Sequence, residues 1–238
     1  GRSQSLVVAD RQGHIIFQEN SDEQRPIASL TKLVTAAVFL EHNPGWDHVA
    51  TIESSDNVGG ASLPLEPGDR ITARQLFFAT LTGSKNNAAR ALMRATGMSE
   101  AQFVDAMNSQ VRDWGLVRTH FVEPTGLDER NVSTAREILM ISQQVFSRFE
   151  FLEATTIPGY EVRFNRNGQD RSVVIQNTNK LVSRDLYITG GKTGYTHEAG
   201  YNLVTQAKKY GRELIALVMG AKQGQNFEEV YRLLKEYL

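Results

Sequence analysis

Cysteine is absent from this sequence of 238 residues, and its absence excludes several kinds of chemistry. A chain without thiols cannot form disulfides, attack a substrate with a thiolate or bind zinc through cysteine. The histidines form no pair at metal-ligand spacing, so the sequence predicts no metal site and no cofactor. We expect surface or structural roles for all five of them, His14, His42, His48, His120 and His197.

An excess of charge and long apolar runs are also missing. The chain has 26 basic and 27 acidic residues and no cluster of lysine and arginine, so we expect no nucleic-acid partner. No apolar stretch is long enough to span a bilayer, which predicts no transmembrane segment in this chain. The first residues lack a positive stretch followed by an apolar one, so we expect the signal peptide to be absent from this chain.

Hairpins are predicted near both ends of the chain. The β-type runs at 5–10 and 14–20 flank Gly13, and a second pair of runs flanks Tyr210 and Gly211. Glycine in a short connection between two such runs is typical of a tight turn. Both ends are therefore expected to contribute strands to one antiparallel sheet.

The middle of the chain has a mostly helical pattern. Helical segments are preceded by the capping residues Thr72 and Ser99 and are followed by the glycines Gly97 and Gly115. Further helical segments are predicted at 133–146 and 226–238. Strands at both ends around helices indicate an α+β fold. We expect a single domain over 1–238, with flanking helices and an all-helical subregion at about 50–160.

A serine and a lysine stand out in the segment 25–42, which has the apolar spacing of an amphipathic helix. Ser29 falls near its start, and Lys32 lies three residues on, on the same face and within reach of the hydroxyl. In a purely structural interpretation, Ser29 caps the helix and Lys32 is solvated. A Ser-x-x-Lys match is short, so the pair needs support from other motifs.

Two further motifs follow in order along the chain. Ser84 and Asn86 interrupt two helical patterns, where a loop can turn a hydroxyl and a carboxamide the same way. Lys192, Thr193 and Gly194 lie on a predicted strand with glycines on both sides, and glycine in a strand often marks the close approach of another backbone. Each motif alone is consistent with a polar turn or a strand end, but the three together are informative.

These three motifs resemble those of the penicillin-recognising serine enzymes. The segments LEPGDRIT, FVEPTGLDERNVSTARE and GGKTGYTHEAGYNLV are similar to segments of the low-molecular-mass penicillin-binding proteins, the D-alanyl-D-alanine carboxypeptidases and endopeptidases. The similarity covers essentially the whole chain. It implies a β-lactamase/transpeptidase-like fold, which agrees with the α+β arrangement predicted from the pattern of segments.

The residues of these motifs fit nucleophilic catalysis. A serine hydroxyl needs a base within hydrogen-bond distance, and Lys32 can serve if burial and the nearby cations Lys192 and Lys85 keep it neutral. Ser84 is expected to relay a proton toward the departing amine. The residues expected to bind substrate are Asn86 through its amide, Lys192 and Thr193 through the terminal carboxylate, and Gly194 by leaving the strand edge open. The resemblance implies an oxyanion hole formed by the backbone N–H groups of Ser29 and Tyr195.

Several functions remain open at this point. The first is a serine D-alanyl-D-alanine carboxypeptidase that acts on peptidoglycan stem peptides through an acyl-enzyme and is inhibited by β-lactams. A peptidoglycan D,D-endopeptidase would use the same residues. A class A β-lactamase needs an extra glutamate, and the spacing around Glu123 departs from the Glu-x-x-Leu-Asn pattern. A non-catalytic penicillin sensor would only be acylated.

Location and the remaining polar residues complete the expectations. The resemblance implies an exported bacterial protein, periplasmic or in the cell envelope, because peptidoglycan lies outside the cytoplasmic membrane. Arg136 is expected to pair with an acid rather than to orient the cleft. His197 follows the Lys192 strand closely and could line the rim of the cleft.

Overall fold

The computed structural model describes residues 4–238, which form eleven strands and seven α-helices. The strands are β1 (Ser5–Asp10), β2 (Ile15–Glu19), β3 (Arg25–Pro26), β4 (Val49–Thr51), β5 (Arg70–Thr72), β6 (Val132–Ser133), β7 (Gly159–Arg166), β8 (Gln169–Gln176), β9 (Tyr187–Thr196), β10 (Gly200–Lys209) and β11 (Arg212–Ala221). The helices are α1 (Lys32–Glu41), α2 (Ala73–Leu81), α3 (Asn86–Ala95), α4 (Glu100–Asp113), α5 (Ala135–Phe146), α6 (Phe149–Thr156) and α7 (Gln225–Tyr237).

The largest sheet is antiparallel and takes strands from both ends of the chain, in the order β2-β1-β11-β10-β9. The two hairpins predicted around Gly13 and Gly211 join β1 to β2 and β10 to β11. One face of the sheet packs against α7, and the other face packs against α5. The prediction of an α+β fold with a sheet formed by both termini is confirmed, and β9 is left at one edge of this sheet.

The helix predicted over 25–42 begins later than expected. Arg25 and Pro26 form the short strand β3, Ala28–Thr31 form a 3-10 turn, and α1 starts at Lys32. Ala28 has a φ of +48°, a backbone conformation that breaks the helical pattern just before Ser29. The amphipathic character predicted for this helix is also wrong, because every residue from Lys32 to Phe39 is buried. This helix is central, enclosed by the sheet and by its neighbouring helices.

The helix caps predicted at Thr72 and Ser99 are confirmed. The Thr72 hydroxyl accepts a hydrogen bond from the Gln75 N–H at the start of α2. Ser99 and Gln102 form a reciprocal capping box at the start of α4, in which each side chain accepts from the other residue's backbone N–H. Thr134 caps α5 in the same way as Thr72 caps α2. These side chains satisfy N–H groups that the first turn of a helix leaves without partners.

A second sheet lies among these helices, so the subregion at about 50–160 is not all-helical as expected. Its four antiparallel strands have the order β4-β5-β7-β8. The turn between β7 and β8 contains Asn167 and Gly168, both with positive φ. An Asn-Gly pair between two strand-like runs is a strong hairpin signal. Within residues 4–238, no helix is both long enough and apolar enough to cross a bilayer.

Candidate active site

Ser29 lies in the 3-10 turn between β3 and α1, beside the edge strand β9. A Cβ atom added to Gly194 would lie 2.9 Å from the Ile27 carbonyl oxygen and 3.0 Å from the Ser29 nitrogen. The backbones of β9 and the Ser29 turn therefore approach closely, and this approach requires glycine at position 194. The Asn202 side chain donates a hydrogen bond of 3.2 Å to the Ile27 carbonyl and fixes the turn to the sheet.

The Lys32 amine has three oxygen atoms around it at hydrogen-bond distance. Its Nζ lies 2.7 Å from the Ser29 hydroxyl, 2.7 Å from the Asn86 side-chain oxygen and 2.7 Å from the Thr125 carbonyl. The last two oxygens can only accept. Because a neutral amine donates two hydrogen bonds, these two acceptors leave its lone pair for the proton of the Ser29 hydroxyl.

Burial controls the charge of Lys32. The side chain is completely buried, and this burial lowers the pKa of Lys32 to about 7. The carboxylate of Glu123 acts in the opposite direction and raises the pKa of Lys32. Burial, and not the neighbouring cations expected from the sequence, is thus the main cause. A large fraction of Lys32 is neutral near pH 7.

Lys192 is the second buried amine of the site. Its Nζ lies 2.8 Å from the Ser84 hydroxyl and 2.9 Å from the Thr193 carbonyl. Burial and the charge of Lys32 both lower the pKa of Lys192 well below its ordinary value. The three predicted motifs therefore meet, with Lys32 joining Ser29 to Asn86 and Lys192 joining its own strand to Ser84.

An open cleft of about 620 Å³ lies above these two amines. Lys32 and Lys192 lie beneath its wall, so they do not line it. Among the described residues that line it, Lys180 is the only charged side chain. The lining residues are Ser29, Gly60, Ala61, Ser84, Asn86, Gly126, Leu127, Thr178, Lys180, Thr193, Gly194, Tyr195, Thr196, Tyr201, Gln223, Gly224, Asn226 and Phe227.

Several residues of the cleft were missed by the sequence analysis. The Thr178 hydroxyl lies 2.6 Å from the Thr193 hydroxyl, and Lys180 follows two residues later. Tyr201 stacks on Tyr195 with ring centroids 4.2 Å apart. Asn226 lines the far wall at the start of α7. None of these residues belongs to a short motif, and only the arrangement of the strands and α7 brings them to the cleft.

The expectations for Arg136 and for the histidines have different outcomes. Arg136 pairs with Asp22, with its Nε 2.8 Å from the carboxylate, as expected. His14 contacts Asp10 at 2.9 Å on the surface. His197 is exposed and does not line the cleft. Within residues 4–238, no group of three histidine or acidic side chains could hold a metal ion.

Comparison with known proteins identifies the family. A family profile described as D-alanyl-D-alanine carboxypeptidase matches residues 2–223, which is most of the chain. The chain belongs to the D-alanyl-D-alanine carboxypeptidase family. The family resemblance inferred from the three motifs is thus confirmed, and the family consists of serine peptidases that hydrolyse peptide bonds.

Relatives of this chain are named either as endopeptidases or as carboxypeptidases. The D-alanyl-D-alanine endopeptidase of Haemophilus influenzae is 34% identical over 206 residues, which cover 85% of this chain and 69% of the relative. The D-alanyl-D-alanine carboxypeptidase DacF of Bacillus subtilis is 32% identical over 226 residues, covering 92% of this chain and 57% of the relative. The chain thus spans from little more than half to about two thirds of the length of these curated relatives.

Solved structures show the same fold. The crystal structure of a Streptomyces DD-transpeptidase superposes with a TM-score of 0.90 at 26% identity, covering 98% of this chain and 95% of that one. A D-alanyl-D-alanine carboxypeptidase from Mycobacterium tuberculosis superposes with a TM-score of 0.85 at 28% identity, covering 95% of this chain and 86% of that one. The transpeptidase-like fold implied by the sequence resemblance is therefore confirmed.

Proposed function

We propose that this protein is a serine D,D-peptidase that cleaves the bond after D-alanine in peptidoglycan stem peptides through an acyl-enzyme on Ser29. The observation that carries the proposal is the 2.7 Å distance between the Ser29 hydroxyl and the Lys32 amine. Lys32 is buried beneath an open cleft and can be neutral near pH 7. A nucleophile and a base within hydrogen-bond distance at an accessible cleft are the minimum that acyl transfer needs.

Acylation begins with proton transfer from the Ser29 hydroxyl to the neutral Lys32 amine. The Ser29 oxygen then attacks the carbonyl of the penultimate D-alanine, and the backbone N–H groups of Ser29 and Tyr195 stabilise the resulting oxyanion. The proton leaves Lys32 and reaches the departing amine through the Ser84 hydroxyl. The amine departs, and water later hydrolyses the ester of Ser29.

Substrate binding uses the edge of β9 and the loop before α3. The Thr193 hydroxyl hydrogen-bonds the carboxylate of the leaving residue, and the negative charge of this carboxylate favours the protonated form of Lys192 beneath the wall. The Asn86 amide binds the peptide backbone. Gly194 keeps the strand edge open, so that the peptide lies against β9 as an additional strand.

Glu123 gives a reason to expect slow release of penicillin. Its carboxylate accepts hydrogen bonds from the backbone N–H groups of Thr125 and Gly126 and from the Asn131 side chain. A carboxylate held by its own loop in this way is poorly placed to activate a deacylating water. We therefore propose that β-lactams act as long-lived covalent inhibitors and are not rapidly hydrolysed substrates.

A D,D-endopeptidase is the second candidate function, because several relatives, including the one from Haemophilus influenzae, are named as endopeptidases. Carboxypeptidase and endopeptidase reactions break a bond after D-alanine and differ in the leaving group. Either substrate is found outside the cytoplasmic membrane, so we propose that the protein is exported to the bacterial cell envelope.

The test compares four purified variants with the wild-type protein. Ser29→Ala and Lys32→Ala remove the nucleophile and the base, and Ser109→Ala and Lys209→Ala change the same residue types at exposed positions. We expect Ser29→Ala to abolish labelling by fluorescent penicillin and Lys32→Ala to slow it by about 10²–10⁴-fold. The two controls should label at the wild-type rate, and circular dichroism shows whether each variant is folded.

The reaction itself is followed with a defined pentapeptide monomer and a cross-linked dimer, using mass spectrometry of the products. Release of D-alanine from the monomer, or separation of the dimer into two stems, would support the proposal if it is lost in Ser29→Ala. Labelling of the wild-type protein without turnover of either substrate would indicate a sensor. Rapid release of hydrolysed penicillin would indicate a β-lactamase.

A further inference from the structure

A buried carboxamide without a hydrogen bond lies at the start of α7. Asn226 is only 2% exposed, and its side-chain oxygen has no hydrogen-bond partner in the part of the chain that the structure describes. Leaving a buried polar atom unpaired is unfavourable, and such atoms in proteins call for an explanation. Because Asn226 lines the cleft, a bound ligand can supply the missing partner.

Asn226 lies on the side of the cleft where the leaving group of the proposed reaction binds. In the proposed reaction, the leaving residue binds at Thr193, whose hydroxyl contacts Thr178 at 2.6 Å. Lys180 lies two residues after Thr178, and its ammonium is 5.5 Å from the ring centroid of Phe227, the residue next to Asn226. The cleft wall therefore continues from the leaving residue to α7.

The chemistry of this wall suits a peptide more than a small apolar group. Lys180 supplies the only charge among the described residues lining the cleft, and Asn226 supplies a buried amide. The first N–H groups of the thirteen-residue helix α7 add partial positive charge at the same end. Phe227 and the Tyr201 ring add apolar surface for the carbon atoms of a chain.

We propose that Lys180, Asn226 and Phe227 form a subsite for the leaving group of a cross-linked stem peptide, with the Asn226 carboxamide hydrogen-bonded to a peptide amide of that group. The inference rests on the proposed D,D-peptidase function. A single D-alanine ends at the carboxylate held by Thr193, so nothing of it continues along the wall. The leaving strand of a cross-link carries further amides and does continue. The subsite therefore favours cleavage of cross-links over removal of terminal D-alanine.

The test measures the kcat/KM of the wild-type protein and of Asn226→Leu on the cross-linked dimer and on the pentapeptide monomer. Leucine has the same number and branching of side-chain heavy atoms as asparagine and cannot hydrogen-bond. We expect the ratio of the dimer value to the monomer value to fall about tenfold, which matches the loss of one hydrogen bond at the leaving group. The melting temperature of the free protein should be unchanged or higher, because the variant removes an unpaired buried oxygen.

The control is Gln225→Leu, which changes an exposed carboxamide on the same turn of α7. It should leave the ratio at the wild-type value. An unchanged ratio in Asn226→Leu, or a lower melting temperature with equal loss on both substrates, would overturn the subsite and indicate a structural role for Asn226. A wild-type protein that is not labelled by penicillin and cleaves neither substrate would instead contradict the proposed function.

Discussion

At the residue scale, the main feature is a lysine that the fold keeps close to neutrality. Two carbonyl oxygens, from Asn86 and Thr125, each lie 2.7 Å from the Lys32 amine and accept hydrogen bonds from it. The Asn86 amide nitrogen in turn donates to the Gly59 carbonyl at 2.9 Å, which fixes the orientation of the side chain. The lone pair of the neutral amine is thereby directed at Ser29.

The pH dependence of acylation should report the pKa of Lys32. Only the neutral amine can take the serine proton, so the rate constant for penicillin labelling should fall about tenfold per pH unit below pH 7. In Glu123→Gln this acid limb should move to lower pH, by about 1 pH unit or less, because the Glu123 charge raises the pKa of Lys32. Stopped-flow or quenched labelling between pH 5 and pH 8 measures both profiles.

Glu137→Gln is the matched control for this prediction. The Glu137 carboxylate also holds a loop, since it accepts hydrogen bonds from the N–H groups of Val117 and Arg118 and from the Thr119 hydroxyl. Its neutralisation should lower stability without moving the acid limb. Equal displacement of the limb in both variants, or none in Glu123→Gln, would show that the Glu123 charge does not act on Lys32.

At the scale of elements, the site depends on the loop that follows α4 and carries Gly126. Gly126 has a φ of +89°, and a Cβ added to it would lie 1.9 Å from the Ala28 carbonyl oxygen and 2.9 Å from the Ser29 nitrogen. Such distances are far below van der Waals contact. The loop and the Ser29 turn therefore fit together only if position 126 has no side chain.

Gly126→Ala should therefore displace the Ser29 turn. We expect penicillin labelling to slow by at least about 100-fold, because a displacement of about 1 Å at a reacting group has an effect of this size. Gly97→Ala is the matched control, since Gly97 has a similar φ of +79° and open space around the added Cβ. It should lose about 1–2 kcal/mol of stability from backbone strain and label normally. Equal labelling by the two variants would contradict the prediction.

The elements also show how far sequence reasoning reaches. The hairpins at Gly13 and Gly211 and the caps at Thr72 and Ser99 were predictable, because turns and caps depend on a few neighbouring residues. The 3-10 turn before α1 was not, because Ala28 has a positive φ, a conformation that alanine rarely adopts. The β7–β8 hairpin carried an Asn-Gly signal that the helical interpretation of the middle of the chain overlooked.

In the candidate site, too, features set by neighbouring residues were predictable and features set by distant segments were not. The proposed nucleophile, base and binding strand were predictable because Ser29-x-x-Lys32 and Lys192-Thr193-Gly194 are contiguous motifs. The carbonyl of Thr125 and the carboxamide of Asn226 were not predicted, because the roles proposed for them depend on where the backbone passes and on which polar atoms remain unpaired. No local pattern records either property.

At the scale of the whole molecule, two apolar clusters lie on opposite faces of the large sheet, one beneath α7 and one around α1 and α5. The site lies at the β9 edge, where the sheet meets the Ser29 turn and the loop before α3. Two lysines in this region, Lys32 and Lys192, are almost completely buried. The fold therefore encloses amines that an unfolded chain would leave solvated. The expectation of one domain over 1–238 stays a prediction.

This burial should appear in the dependence of global stability on pH. The pKa of Lys32 is about 7 in the folded protein, against about 10.4 for an unfolded lysine. Between these values the unfolded state binds more protons, so the free energy of unfolding should rise with pH. Below pH 7 both states are protonated and the unfavourable contribution is fully present. For Lys32 alone, the expected gain between pH 7 and pH 9 is roughly 2 kcal/mol.

Lys32→Met isolates this contribution from those of other titrating groups. The difference in unfolding free energy between Lys32→Met and the wild-type protein, measured by urea denaturation, should change in favour of the wild type by roughly 2 kcal/mol from pH 7 to pH 9. The loss of the three hydrogen bonds of Lys32 changes this difference by a similar amount at each pH. The change of the difference with pH therefore reports the titration of Lys32. Lys209→Met, at an exposed position, should show no such slope. A constant difference between Lys32→Met and the wild type would mean that Lys32 stays charged when folded, and the proposed general base would then lack its neutral form.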